Sequence, residues 1–139
     1  MTTTLTHIAL HVRDMDAMVA FYRDFCGLEM VHQRAHEETS VIWLAEPGRG
    51  EEFVYVLIGG GSGHEYREKD FSHFGFALES REAVDSIAAK AEAEGCLVWP
   101  ARQEPAPIGY YCGVVDPDGN VAEFSYGQPL GPALTTGNQ

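Results

Sequence analysis

The sequence predicts an α+β fold of paired βαβββ modules, and three observations carry that prediction. The segments Thr6-His7-Ile8-Ala9-Leu10-His11-Val12 and Ser72-His73-Phe74-Gly75-Phe76-Ala77-Leu78 are both strand-like, and each has a histidine second in line. His7 lies seven residues before Asp14 and His73 seven before Ser80, both good helix N-caps, and the helices that follow stop at Gly27 and Gly95. Gly59-Gly60-Gly61-Ser62-Gly63 then separates the copies. Such a repeat is a duplicated supersecondary unit in which His7 and His73 hold equivalent positions.

Each element follows from its residue pattern. The first helix, about Met15 to Cys26, sets Met15, Met18, Tyr22 and Phe25 on one face; the second, about Arg81 to Glu94, does the same with Val84, Ile87, Ala88 and Ala91. In the first module, β-type runs span Leu28 to about His36, Thr39 to Ala45 and Glu52 to Ile58, with turn-rich residues between them. In the second they span Phe71 to Glu79, Cys96 to Gln103, Tyr110 to Asp116 and Asn120 to Tyr126, the last two joined by the turn Asp116-Pro117-Asp118-Gly119. A chain of 139 residues is one domain by size. The expected organisation is a single domain over residues 1–127, with modules at about 5–58 and 71–127, a linker at 59–70 and a Pro/Gly-rich tail at 128–139. Halves of about 65 residues are marginal alone, so they are expected to pack together.

Composition removes several function classes. A net charge of −12, with nine Lys and Arg residues that form no run, repels phosphate backbones and anionic membranes. No stretch approaches the roughly 18 apolar residues of a membrane helix. The N-terminus has neither a basic start nor an apolar core of a secretion signal, so a cytoplasmic location is the expectation. Cys26, Cys96 and Cys112 show no CxxC spacing and read as free thiols in a reducing compartment.

Side-chain alternation locates the candidate site. Ile8, Leu10 and Val12 share one face of the first strand and His7, Ala9 and His11 the other; Phe74, Phe76 and Leu78 likewise oppose His73, Gly75 and Ala77. The bulky faces suit the helices, which leaves faces of histidines and small residues that resemble a cavity wall. In the last strand Ala122 and Phe124 are core, and Val121, Glu123 and Ser125 join the small-residue face. His7, His73 and Glu123 can therefore point into one concave space. Two neutral imidazoles and a carboxylate form the facial triad that binds a divalent metal with open positions. The plain alternative is two satisfied strand histidines and an edge carboxylate in water. Against it, a buried Glu with no cation costs several kcal/mol.

The stretch from His7 to Asp14, Ala20-Phe21-Tyr22-Arg23-Asp24-Phe25-Cys26-Gly27-Leu28, Ser72-His73-Phe74-Gly75-Phe76, and Asp116-Pro117-Asp118-Gly119-Asn120 through Glu123-Phe124 together resemble the vicinal oxygen chelate superfamily. That group includes glyoxalase I, extradiol dioxygenases, methylmalonyl-CoA epimerases, fosfomycin-resistance enzymes and bleomycin-resistance proteins. The resemblance runs from about residue 5 to residue 127. It implies paired modules curled around a metal cavity, a small-molecule substrate and a homodimer, with modules that pair within one chain or exchange between two. It also implies that His7, His73 and Glu123 are the metal ligands.

Departures from the family pattern direct the choice of chemistry. The remaining ligand position of the family falls at or near Val56, and valine cannot ligate; this weakens a glyoxalase-type lyase, in which Glu123 alone would act as base. Glu52 shares that face but lies about 13 Å away along the strand at about 3.3 Å per residue. Three ligands with open positions is the dioxygenase arrangement and also that of fosfomycin-resistance transferases. The extradiol signature has a Tyr three residues before the Asp-Pro, where this chain has Gly113. Pro100 and Gly127 occupy regions where the fosfomycin group has Lys and Arg, for which Arg102 and Arg34 are partial substitutes. Trp43 and Trp99 read as packing residues.

The resulting expectation is an Fe(II) enzyme, with nickel, cobalt, zinc or manganese as alternatives, and dioxygenase chemistry ahead of a glyoxalase-type reaction. Glu123, His11, Tyr110 and Tyr111 are the candidate catalytic residues. His11 serves as an outer partner or acid/base if it is not simply a solvated strand-end histidine, and alternation turns one of the two tyrosines inward. The competing class is a drug-binding protein of the bleomycin-resistance kind.

Overall fold

The structure, a computed structural model, describes residues 1–131; the remainder of the expected tail lies outside the described residues. The chain forms two compact units, Met1–Glu65 and the residues from Tyr66 on. Each consists of a helix and a four-stranded sheet. In the first unit β1 (His7–Val12), α1 (Met15–Cys26), β2 (Glu29–His36), β3 (Thr39–Ala45) and β4 (Val54–Gly59) give the sheet order β1-β4-β3-β2. In the second β5 (His73–Ala77), α2 (Arg81–Glu94), β6 (Leu97–Glu104), β7 (Gly109–Val115) and β8 (Val121–Tyr126) give β5-β8-β7-β6. The first strand of each unit runs parallel to the last, and the other pairs are antiparallel. These are the expected paired βαβββ modules.

The helices begin and end where their caps require. Asp14 accepts from the Ala17 N–H at 3.1 Å and Ser80 Oγ from the Ala83 N–H at 3.0 Å, each cap contributing about 1 kcal/mol. Gly27 and Gly95 close the helices at φ 67° and 76°, the left-handed conformation that glycine adopts without steric cost. Between them α1 buries Met18, Phe21, Tyr22 and Phe25, and α2 buries Val84 and Ala91. In the second unit α2 lies on β6, β7 and β8, over Cys112, Val114, Ala122 and Phe124, all fully buried.

Cys112 is a core atom rather than a nucleophile. Its Sγ stands 3.9 Å from the Val84 carbonyl, and burial, followed by the charges of Asp85 and Glu123, pushes the thiol from 9.0 up to about 12. A folded value above the unfolded one stabilises the fold below about pH 9 and loses that contribution as the pH rises towards 12. Native protein at pH 8 is expected to resist alkylation by iodoacetamide at Cys112 and to react there once denatured, as read by peptide mass spectrometry.

Two local differences from the sequence pattern have clear causes. β4 starts at Val54 rather than Glu52 because the Arg49 carbonyl accepts the N–H groups of Glu52 and Phe53, at 2.9 and 3.2 Å, and holds them in a turn. The glycine run is partly built into the first unit: Gly59 ends β4, and the Gly61 N–H donates to the Val12 carbonyl at 2.9 Å. A Cβ at Gly61 would lie 2.3 Å from the His11 carbonyl oxygen, so close approach to β1 demands glycine there.

The site of the second unit depends on one turn and one irregular strand. Asp116, 4 % exposed, accepts from the N–H groups of Asp118 and Asn120 at 2.8 and 2.9 Å and from Asn120 Nδ2 at 3.1 Å. That Asx-type turn sets where β8 begins, and with it the face on which Glu123 emerges. In β6 the register slips between Leu97 and Trp99 and again between Trp99 and Arg102, around a proline that cannot donate to the ladder. Leu97 opposes core Val114, whereas Trp99 opposes Gly113 and Arg102 opposes Tyr111. The bulges move Trp99 from the helix side to the side that carries Glu123.

Candidate active site

On β5 and β8 the ladder pairs His73 with Val121 and Gly75 with Glu123, so histidine and carboxylate emerge on one face. The His73 Nδ1 lies 2.6 Å from the Phe71 carbonyl. A carbonyl only accepts, so Nδ1 carries a proton, and in the neutral imidazole Nε2 is then the nitrogen with the lone pair. That Nε2 faces Glu123 Oε1 at 3.7 Å. Two electron-pair donors pointed at one another are the reverse of a hydrogen bond, and a cation between them satisfies both. The separation is within what two donors each about 2.1 Å from a shared ion can span, so the pair fits a divalent metal. The carbonyl on Nδ1 is the usual outer partner of a metal-ligating histidine.

The pair opens onto a cleft of about 530 Å³ lined by Tyr66, Phe71, Trp99, Ile108, Tyr111 and Arg102, together with His73 and Glu123. The size suits a small molecule. Its walls combine aromatic and aliphatic side chains with the carboxylate of Glu68: Trp99 stands edge-on to His73 at 5.3 Å and to Tyr111 at 6.5 Å between ring centroids. Gly113 creates the seat for the indole, because a Cβ there would lie 2.4 Å from Trp99 Cε3. The cation in the cleft, Arg102, is ion-paired with Glu104.

Of the other expected residues, Tyr111 lines this cleft and Tyr110 does not. Alternation sends Tyr110 to the helix side, where its hydroxyl donates to Asp85 and Arg81 stacks on its ring at 3.8 Å. The bond to Asp85, with help from desolvation, raises the phenol above its ordinary range. The structure thus turns Tyr110 away from His73 and Glu123, with its hydroxyl engaged by Asp85. Trp99, which reads as a packing residue from its sequence pattern, is brought to the cleft by the slip between Leu97 and Trp99; Pro100 beside it marks the strand as irregular.

His7 and His11 lie on the equivalent face of the first unit, and both are exposed. The Thr6 hydroxyl is 3.1 Å from His7 Nδ1, so here too Nδ1 has a local partner. His11 packs on Gly61, whose Cβ would come 2.8 Å from its ring. The register of the two units is the same at this point, with Ala9 opposite Val56 as Gly75 is opposite Glu123. Val56 is thus the counterpart of Glu123, and it is 9 % exposed in a cluster with Val41, Ala45 and Val54. Glu52 lies outside β4, its carboxylate 3.6 Å from Arg49. Among the described residues no three His, Cys, Asp or Glu side chains converge to hold a metal ion; the second unit alone supplies the His73–Glu123 pair.

The chain belongs to the Glyoxalase/Bleomycin resistance protein/Dioxygenase superfamily, whose model matches residues 4–124. It is 56 % identical over 132 residues to an uncharacterized protein of Pseudomonas aeruginosa, covering 95 % of this chain and 94 % of that one. It is 23 % identical to glutathione transferase FosA of Serratia marcescens, over 91 % of this chain and 83 % of that one. Among solved structures it is similar to the fosfomycin resistance protein FosX of Listeria monocytogenes, with a TM-score of 0.73, 22 % identity and coverage of 92 % and 96 %. Another FosX crystal, of a mutant complexed with Mn(II) and a dihydroxypropylphosphonic acid, matches at a TM-score of 0.70 and 21 % identity over 90 % of each chain. Among the described residues no helix is long and apolar enough to cross a membrane.

Proposed function

We propose that this protein is a divalent-metal-dependent enzyme in which His73, Glu123 and His7 hold the ion, with Fe(II) the favoured metal. Its substrate is a small, largely apolar molecule that binds through adjacent oxygens, and its chemistry is of the dioxygenase type. The observation that carries this reading is the His73 Nε2–Glu123 Oε1 approach of 3.7 Å within an aromatic cleft. The Mn(II) in the FosX crystal supports a divalent ion in this fold. Fe(II) so held would supply open positions for two substrate oxygens and for O₂.

The residues of the chain have distinct parts in this reading. Phe71 fixes the His73 tautomer through its carbonyl. Trp99, Phe71 and Ile108 shed water from the cleft and favour a flat apolar ring. The Tyr111 hydroxyl, in the cleft lining, would serve as a proton donor or acceptor for a bound oxygen. Arg102, already paired with Glu104, is poor provision for a dianionic phosphonate, which argues for an apolar substrate instead. Val56 leaves the first unit without the second carboxylate of an isomerase. The protein acts in this reading as a cytoplasmic homodimer, where its three free thiols stay reduced.

The test is metal analysis of untagged protein purified without oxygen or chelators, followed by oxygen uptake on catechols and hydroquinones. Near-stoichiometric iron with substrate-dependent uptake is expected. Zinc or nickel with turnover of a hemithioacetal would favour the glyoxalase-type reaction instead. Protein that neither holds metal nor takes it up on titration would overturn the enzyme reading in favour of a binding protein.

A further inference from the structure

Glu123 has two oxygens, and only one faces His73. The other, Oε2, accepts a hydrogen bond from Gln128 Nε2 at 3.3 Å. Gln128 lies beyond β8, so the chain must fold back to bring it there, and three glycines permit this. Gly127 turns the backbone at φ 93° directly after Tyr126. At Gly109, the first residue of β7, a Cβ would stand 2.6 Å from the Tyr126 carbonyl oxygen and 3.3 Å from the Gln128 nitrogen, so only glycine lets the returning segment press against the sheet. At Gly131 a Cβ would lie 3.0 Å from that of Ala77, on the face of β5 that carries His73 and Gly75. Residues 127–131 therefore cross the site face of the second unit.

We propose that Gln128 is a positioning residue for the metal site: its amide holds Glu123 Oε2 and leaves Oε1 turned towards His73 as a one-oxygen ligand. This rests on the metal reading of His73 and Glu123. A carboxylate free to rotate presents either oxygen, or both, and loses directed geometry. The space beside it is open enough for that to happen, since a Cβ at Gly75, directly across the ladder, would be at an ordinary contact distance of 3.5 Å from Oε2. The Gln128 amide is what removes the freedom, as the outer hydrogen bonds of metal-ligating carboxylates do elsewhere.

The experiment is Co(II) titration of the full-length protein, read by visible absorption, on wild type and the Gln128→Met, Gln128→Ala and His73→Ala variants, with melting of each metal-free form. Methionine keeps the length of the side chain and removes the donor. Both Gln128 variants are expected to bind Co(II) roughly 10–100-fold more weakly, with an altered absorption band and an unchanged metal-free melting temperature. If Gln128→Met binds Co(II) as wild type does while His73→Ala does not, this proposal fails and the metal reading stands. A fall in affinity that merely tracks a fall in metal-free stability would make Gln128 a packing residue and overturn it. Retention of Co(II) by His73→Ala, or no binding by wild type, would overturn the metal reading and this role with it.

Discussion

His73→Ala is expected to abolish metal binding while the protein stays folded. The histidine side chain is exposed, and what it gives up is a hydrogen bond to the Phe71 carbonyl and an edge contact with Trp99. Such an aromatic contact contributes about 0.5–1.5 kcal/mol, a small part of the stability of a domain of this size. The loss at the site is of another order. Removing the imidazole leaves Glu123 without the donor that faces it and takes away one of three proposed ligands, so the effect exceeds the roughly 10–100-fold attached to an outer partner. Metal analysis and circular dichroism on the same preparation separate the two effects. Stoichiometric metal on folded His73→Ala protein would remove this histidine from the site.

Gly113→Ala is expected to have the largest effect on the shape of the cleft. The added Cβ would meet the Trp99 ring at 2.4 Å from Cε3, 2.5 Å from Cδ2 and 2.9 Å from Cγ. A ring struck near its root cannot yield by a small tilt, so the indole must leave its seat. Overpacking of this kind costs about 1–3 kcal/mol. The backbone at Gly113 has no positive φ, so the cost is steric alone. A lower melting temperature is therefore expected, with a red-shifted Trp99 emission when Trp43 is replaced by phenylalanine to isolate it. The cause is tested by the double variant Gly113→Ala/Trp99→Ala: with no ring to strike, the alanine at 113 should add little further cost, a coupling that a double-mutant cycle measures. Additive losses would show that Gly113 matters for some reason other than the indole.

Much of the architecture is legible in the chain because its signals are local. Asp14 with Gly27, and Ser80 with Gly95, bracket helices at Met15–Cys26 and Arg81–Glu94, as the cap chemistry and apolar spacing require. Alternation on β1 and β5 separates His7 and His73 from the helix-facing residues. The turn at Asp116 aims Glu123 because its carboxylate bonds backbone only two to four residues away.

The remainder depends on pairings between strands far apart in sequence. Alternation alone keeps Trp99 with Leu97 on the helix side; the slipped register against β7 turns it to the cleft, and the ladder partner Gly113 makes room for it. Alternation also leaves open which of Tyr110 and Tyr111 points inward, and the register with Tyr126 and Ser125 decides for Tyr111. The equivalence of Val56 and Glu123 becomes definite only when Ala9 and Gly75 are seen opposite them.

By itself, then, the sequence determined the duplicated modules, both helices and the candidate ligands His7, His73 and Glu123, because caps, turns and side-chain periods act over a few residues. Only the tertiary structure decided the tautomer of His73, the aromatic wall raised by Trp99, the outward turn of Tyr110 and the reach of Gln128 back to Glu123. Each of these is set by a partner that the chain meets only after its strands have paired.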